Sequence, residues 1–282
     1  MADNRLALID IGQISEPASK LIEAVRAAIG TVYEPTRIRR RAAAEADAAL
    51  VLAKTELKIQ GLERRAAERL ISRELRRQEN IERITHRAIE ELPSAVADEK
   101  VDPDWVIQFF DNCQDISNEQ MQTLWARLLA GEVAEPGSFS PRTLTILKLM
   151  RREDAELFER VCSYVWDRGG DLIPVLLTSR EPFVSEDTPC LEFGELIHLE
   201  SMGILSSIGV GEVSLTAVTE MGYFEKHHYF PTIRPEGVPM GKALFTQAGA
   251  ELARVVKGQP NWYYRDRVLH YWRQQGIRVD ER

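Results

Sequence analysis

The chain is poor in the residues that most often announce chemistry. Its 282 residues include three cysteines and five histidines. Cys113, Cys162 and Cys190 are widely spaced, odd in number and form no CxxC pair. That argues against a disulfide framework and predicts reduced, mostly buried thiols. There is no GxxxxGK[ST] phosphate loop, no GxSxG elbow and no HExxH pair, and Gly203 to Gly211 are too loosely arranged for a dinucleotide fingerprint. No run approaches the roughly 20 apolar residues of a membrane span. The opening MADNRLALIDIGQ lacks the basic start and apolar length of a signal peptide. These absences predict a cytoplasmic protein with no cofactor and no metal.

Helix breakers are missing from one long stretch. Between Pro35 and Pro93 there is no further proline, and Gly61 is the only glycine. Pro35 suits a first helical turn and Pro93 a stop. The pattern predicts one long charged helix over residues 34–92, on the order of 85 Å if unbroken at about 1.5 Å per residue. A helix of that length must protrude, pair or line a large body.

Charge is present but unevenly placed. The chain carries a net −8, yet residues 36–91 hold 14 Lys/Arg against 10 Asp/Glu. A basic rod of +4 thus stands against a remainder of −12. The overall sign argues against nucleic-acid binding by the whole protein. Within the rod, Arg65, Arg69, Arg73, Arg76, Arg83 and Arg87 follow at intervals of 4, 4, 3, 7 and 4 residues. At 100° per residue they share one sector. This cationic edge could meet a protein partner, phosphates or an anionic membrane surface. It could equally be a solvated face with Glu68, Glu79, Glu82 and Glu90 as intrahelical partners. Ile59, Leu70, Ile81 and Leu92 recur every eleven residues. With Ile84 they form an apolar edge on roughly the other side, a candidate oligomer contact in which partners pack without left-handed supercoiling.

Several further elements are legible. Ser15, Glu16 and Pro17 open a short helix with Leu21, Ile22, Val25, Ala28 and Ile29 on one face; it either packs on the body or, with the basic run from Arg37 to Arg41, anchors at a membrane surface. Asp102-Pro103, Ser117 with Gln120, and Ser140-Pro141 mark helix starts, and a fourth helix runs from Glu153 through Trp166. Four amphipathic helices with short connections predict a compact bundle. After Gly169-Gly170, DLIPVLLTS, GVGEVSLTAV and GKALFT read as strands and Phe193 to Met202 as a helix. Thr246 caps QAGAELARVV, and a last helix lies around residues 265–275. Trp262, Tyr263, Tyr264, Tyr271 and Trp272, interleaved with arginines, can dock that helix on its own domain or a sister subunit, or stack bases. His198, His227, His228 and Cys190 would bind zinc only if the fold gathered them. The carboxylates Glu153, Asp154, Glu156 and Glu159 suit the first turns of a helix.

The phrases LWARLLAGE and PGSFSPRTL, within residues 117–158, resemble a signature of an uncharacterised bacterial family (DUF2806-like). The basic alanine-rich helix ahead of them extends that resemblance back to about Arg37. The helix together with LWARLLAGE is also loosely similar to abortive-infection proteins of phage defence. The resemblance implies a bacterial cytosolic protein with no catalytic residues to transfer. The phrases themselves read as structural: Trp125, Leu128 and Leu129 form a core stripe, while Arg127 and Glu132 could pair or hold a ligand.

The expected fold is therefore mainly α, a long N-terminal helix plus a compact helical bundle, followed by a smaller α+β domain that could be winged-helix-like. The expected division is an amphipathic segment over 1–33, the long helix over 34–93, the bundle over 94–168 and the α+β domain over 169–282. The expected role is a non-enzymatic protein that assembles through the long helix into a homo-oligomer and presents its C-terminal domain to a protein partner. Phage defence is the setting the resemblance implies. The alternatives are a nucleic-acid-binding regulator using the C-terminal domain, and a membrane-associating defence effector.

Overall fold

A computed structural model of the chain describes residues 15–30, 61–177, 191–207, 213–232, 235–256 and 258–281. It divides into two compact units, Met1–Pro141 and Arg142–Arg282.

The first unit is helical. Helix α1 (Glu16–Ile29) starts at Ser15, whose side chain accepts the Ala18 N–H, and ends at Gly30, whose φ of 85° suits glycine. Its face of Ala18, Leu21 and Val25 is buried. Helix α2 (Gly61–Glu91) is the described part of the long charged segment. Helix α3 (Pro103–Cys113) is capped by Asp102, which accepts the Asp104 N–H at 2.9 Å, and its first-turn proline gives up no hydrogen bond. Helix α4 (Glu119–Ala134) is capped by Asn118. Trp105, Phe109 and Phe110 of α3 meet Trp125 of α4 in an aromatic core, with Phe109 edge-on to Trp125 at 5.3 Å.

The second unit is built on antiparallel strands. It opens with α5 (Pro141–Leu149) and α6 (Arg152–Cys162). Strands β1 (Val165–Arg168) and β2 (Asp171–Pro174) form a hairpin. The two turn residues, Gly169 and Gly170, both take positive φ, as the tight turn matching strand twist demands. Then come α7 (Phe193–Ser201), β3 (Leu205–Ser207), β4 (Val213–Leu215), β5 (Glu220–Tyr223), β6 (Lys226–Thr232), β7 (Val238–Gly241), β8 (Ala243–Phe245), α8 (Gln247–Val255), α9 (Trp262–Gln274) and β9 (Arg278–Glu281). The main sheet runs β2-β1-β5-β6-β9, and β3-β8 and β4-β7 form two-stranded ladders. One face of the main sheet presents Trp166, Ile173, Met221, Tyr223, Phe230 and Val279 to Tyr264, Val268, Leu269 and Trp272 of α9.

The expectation of a mainly α chain with a smaller winged-helix-like end is overturned. This is a mixed α+β protein with a five-stranded antiparallel sheet. The helices expected to form one bundle fall in both units, α3 and α4 in the first, α6 in the second. The helix expected to run through Trp166 stops at Cys162, and Val165 and Trp166 belong to β1. Strands of three or four residues hold too few positions for alternation to register, and the partner of β6 on one side is β9, at the far end of the chain.

His228 stands on the buried face of the sheet, 5.0 Å from the Trp166 ring. Neither ring nitrogen has a hydrogen-bond partner among the described residues, and the Glu281 carboxylate lies 3.8 Å away. Burial lowers its pKa below the ordinary 6.5, an effect that Glu281 only partly opposes. A histidine depressed in the folded state contributes stability that is complete above pH 6.5 and is lost as pH falls through the folded value. Thermal unfolding between pH 7.5 and 5 should therefore show falling stability. His228→Phe should lose less over that window; an unchanged slope would show that His228 is not the titrating group.

Candidate functional site

The two halves of α2 have different surroundings. From Gly61 to Glu79 almost every side chain is exposed, including Leu62 (73 %), Leu70 (51 %) and Leu75 (63 %). From Asn80 onward the helix is seated on α4, burying Asn80, Ile84, Thr85 and Ala88. The seat is largely polar. Arg77 donates two hydrogen bonds to Asp115, at 2.9 and 2.8 Å. That guanidinium, backed by Arg76 and Arg73, holds Asp115 below the usual carboxylate range. Asn80 donates to the Gln114 carbonyl at 2.9 Å, while Gln122 donates to Asn80 at 3.1 Å and to the Ile116 carbonyl at 2.8 Å. Arg87 donates to the Glu119 carbonyl at 2.7 Å and to Thr123 at 2.9 Å. Arg127 reaches back to Glu91 at 3.1 Å.

The six arginines expected on one edge are thus divided. Arg65, Arg69, Arg73 and Arg76 are exposed; Arg73 bonds Glu74 at 3.0 Å, and Arg76 approaches Asp115 at 3.8 Å. Arg83 is half-buried and meets Glu79 at 3.5 Å, one turn back. Arg87 turns inward beside Ile84, three residues away and so on the same face rather than across the helix. Of the apolar edge, Ile84 is buried, Ile81 and Leu92 are half-buried, Leu70 is exposed and Ile59 lies outside the described residues. The sequence reading missed Arg77, Asn80, Asp115 and Gln122. The signal was the 3-4-3-4 spacing of Arg77, Asn80, Ile84, Arg87 and Glu91, easily passed over because four of the five are polar.

The two signature phrases meet through Glu132. This buried carboxylate accepts the Gly137 N–H at 2.7 Å and the Phe139 N–H at 3.0 Å, and the Phe139 carbonyl takes the Trp105 indole N–H at 2.7 Å. One acidic side chain from LWARLLAGE therefore shapes the PGSF turn. Residues 64–269 match a family of proteins of unknown function, DUF2806. The chain belongs to the DUF2806 family. No curated protein and no solved structure matches it.

The match covers most of the second unit of this DUF2806 protein, where the remaining candidates lie. Tyr264 and Trp272 are core residues: Tyr264 donates to the Val175 and Tyr164 carbonyls, and Trp272 to the Pro239 carbonyl at 2.8 Å. Tyr271 is half-buried against that core. Trp262 and Tyr263 are exposed at 42 % and 46 %, with the Arg265 guanidinium 5.1 Å over the Trp262 ring. The histidines are not gathered. His198 pairs with Asp154 at 2.6 Å, His227 with Glu220 at 2.7 Å, and Cys190 lies outside the described residues. Among the described residues no three His, Cys, Asp or Glu side chains converge on a metal position. Burial opposes ionisation of Asp154, but the Arg151 N–H and the His198 ring outweigh it and hold the carboxyl below its usual range. Cys113 and Cys162 are free and buried, and burial raises both thiols.

Substitutions at Asn80, Gln122 and Glu132 test the seat and the clamp. Asn80→Ala should cost about 1–3 kcal/mol in denaturant unfolding, because it strands the Gln114 carbonyl and the Gln122 amide. In a double-mutant cycle with Gln122→Ala it should be non-additive by at least about 0.5 kcal/mol; strict additivity would dissolve the network. Glu132→Ala should lose about 2–3 kcal/mol, since charge-assisted bonds to the buried Phe139 N–H and the part-buried Gly137 N–H disappear. Glu132→Gln should lose less.

Proposed function

We propose that this DUF2806 protein is a non-enzymatic assembly protein whose helix α2 holds a second copy of the chain along its exposed half. One observation carries the reading. At 100° per residue, Leu62, Ala66, Arg69, Leu70 and Arg73 occupy the same sector as Arg77, Asn80, Ile84, Arg87 and Glu91. The face that is covered from Arg77 onward therefore continues toward Gly61, uncovered among the described residues, for about 24 Å at about 1.5 Å per residue. Intrahelical pairs such as Arg64–Glu68 at 3.8 Å and Arg77–Glu74 at 3.2 Å add only about 0.2–0.5 kcal/mol each. Such pairs do little to keep Leu62 and Leu70 in a helix away from any packing surface.

Charge supports a second copy as the occupant. The exposed half is basic and the chain outside residues 36–91 sums to −12, so each copy offers what the other's helix attracts. Presentation of the second unit to a further protein partner follows from such an assembly. The proposed bacterial setting, phage defence, rests on the loose likeness of the helix and LWARLLAGE to abortive-infection proteins. The membrane-anchoring alternative has less support, because α1 buries Leu21 and Val25 within its own unit. No helix among the described residues is long and apolar enough to cross a membrane.

Light scattering of the whole chain at micromolar concentration should return a multiple of 32.1 kDa. Leu62→Glu with Leu70→Glu should return the single-chain mass, whereas Leu75→Glu, on the opposite side of the helix, should leave the assembly intact. A single-chain mass for the unaltered protein sinks the proposal. Salt-dependent retention of DNA or RNA, lost on reversing Arg69, Arg73 and Arg76, would favour the nucleic-acid alternative instead.

A further inference from the structure

The main sheet of the second unit has one face packed on α9; a cleft of about 390 Å³ opens on strand positions of the other face. That volume suits a small organic ligand. Asp167 and Leu172 of the β1–β2 hairpin and Gly222 of β5 line it on the sheet side, and Phe224 and Val256 line it from the hairpin tip and the end of α8. Gly258 lets the chain after α8 press against the end of α6: a Cβ there would lie 2.6 Å from the Cys162 carbonyl carbon. The wall is thus fixed by close backbone contact.

Two features of the lining shape the space above the sheet. Gly222 pairs with Asp167 in the sheet, and a Cβ at that position would meet only Asp167, at an ordinary 3.8 Å. The glycine is not forced; it leaves the floor empty, at the usual cost of glycine in a strand. Phe224 is the first of two residues turning β5 into β6, between the paired Tyr223 and Lys226. Its φ of 51° is the only positive value at a non-glycine among the described residues. Glycine or asparagine would take that conformation with less strain. The strained turn instead carries a ring, 41 % exposed, edge-on to Tyr223 at 4.9 Å and 6.4 Å from Trp262.

Among the described residues, Asp167 supplies the one charged side chain of the lining. Its Oδ1 accepts the Gly170 N–H at 2.6 Å, which orients the carboxylate, and the residue is exposed. An oriented anion, an aromatic ring and aliphatic walls together match a particular ligand chemistry. We propose that this cleft binds a small organic cation, a protonated amine on an apolar stem, with the ammonium on Asp167 and the stem between Phe224, Leu172 and Val256 over Gly222.

Isothermal titration of the full chain with 4-phenylbutylamine, and with 4-phenylbutanol and 4-phenylbutyrate as neutral and anionic counterparts, tests it. The amine should bind about two- to fivefold more tightly than the alcohol, the scale of an ion pair on an exposed carboxylate, and the carboxylate least. Asp167→Asn, which keeps the acceptor for Gly170, should bring the amine down to the alcohol. Gly222→Val should weaken amine and alcohol together without lowering the unfolding temperature; if it fails to fold, Gly222→Ala, whose methyl has room, takes its place. Equal binding of the three probes, no binding of any, or unchanged amine affinity in the filled-floor variant would overturn the proposal.

Discussion

Short connections between helices turn backbone N–H and carbonyl groups away from water, and a fold this rich in them stands or falls on finding those groups partners. Here side chains do it. Asn80 and Gln122 serve the carbonyls of the 114–118 turn, Arg87 serves the start of α4, and Glu132 serves the N–H groups of the turn that follows it. In the second unit, tyrosine and tryptophan do the same from within the aromatic core: Tyr223 to the Ser163 carbonyl, Tyr264 to Val175 and Trp272 to Pro239. Each of these large side chains brings apolar area as well as a hydrogen bond.

This arrangement bears on function through α2. A helix seated by geometrically specific polar contacts has a defined rotation, so the sector it shows beyond the seat is also defined. The arginines and leucines of the exposed half are therefore presented in a fixed direction rather than smeared around an untethered rod. The second unit contributes a different kind of surface, a sheet with one dry face and one face open to small ligands. Assembly by the first and recognition by the second would make a protein whose parts do separate work.

Much of the helical detail was legible because its causes are local. The caps at Ser15, Asp102 and Thr246 and the first-turn prolines at 17 and 103 act on groups within a few residues. At α4 the cap is Asn118 rather than the expected Ser117, a slip of one residue among good cap formers. The sheet was not legible. RVDE reads as a polar tail until Phe230 and Trp272 provide the packing that buries Val279. Trp166 fits a helical stripe as well as a strand, and what decides is the glycine turn three residues on. The seat of α2 was hidden for another reason: hydrophobic periodicity finds apolar faces, and this face buries amide and guanidinium groups. Nor does a sequence show that Gly222 has room for a side chain while Gly258 has none.

Glu132 reaches N–H groups five and seven residues further along the chain. A carboxylate has two oxygens at a fixed separation, so it measures the connection it caps. One inserted residue before Gly137 would carry both donors out of register and pull the Phe139 carbonyl from Trp105. The clamp therefore constrains the length of this connection directly, because its donors are backbone N–H groups that every residue but proline carries.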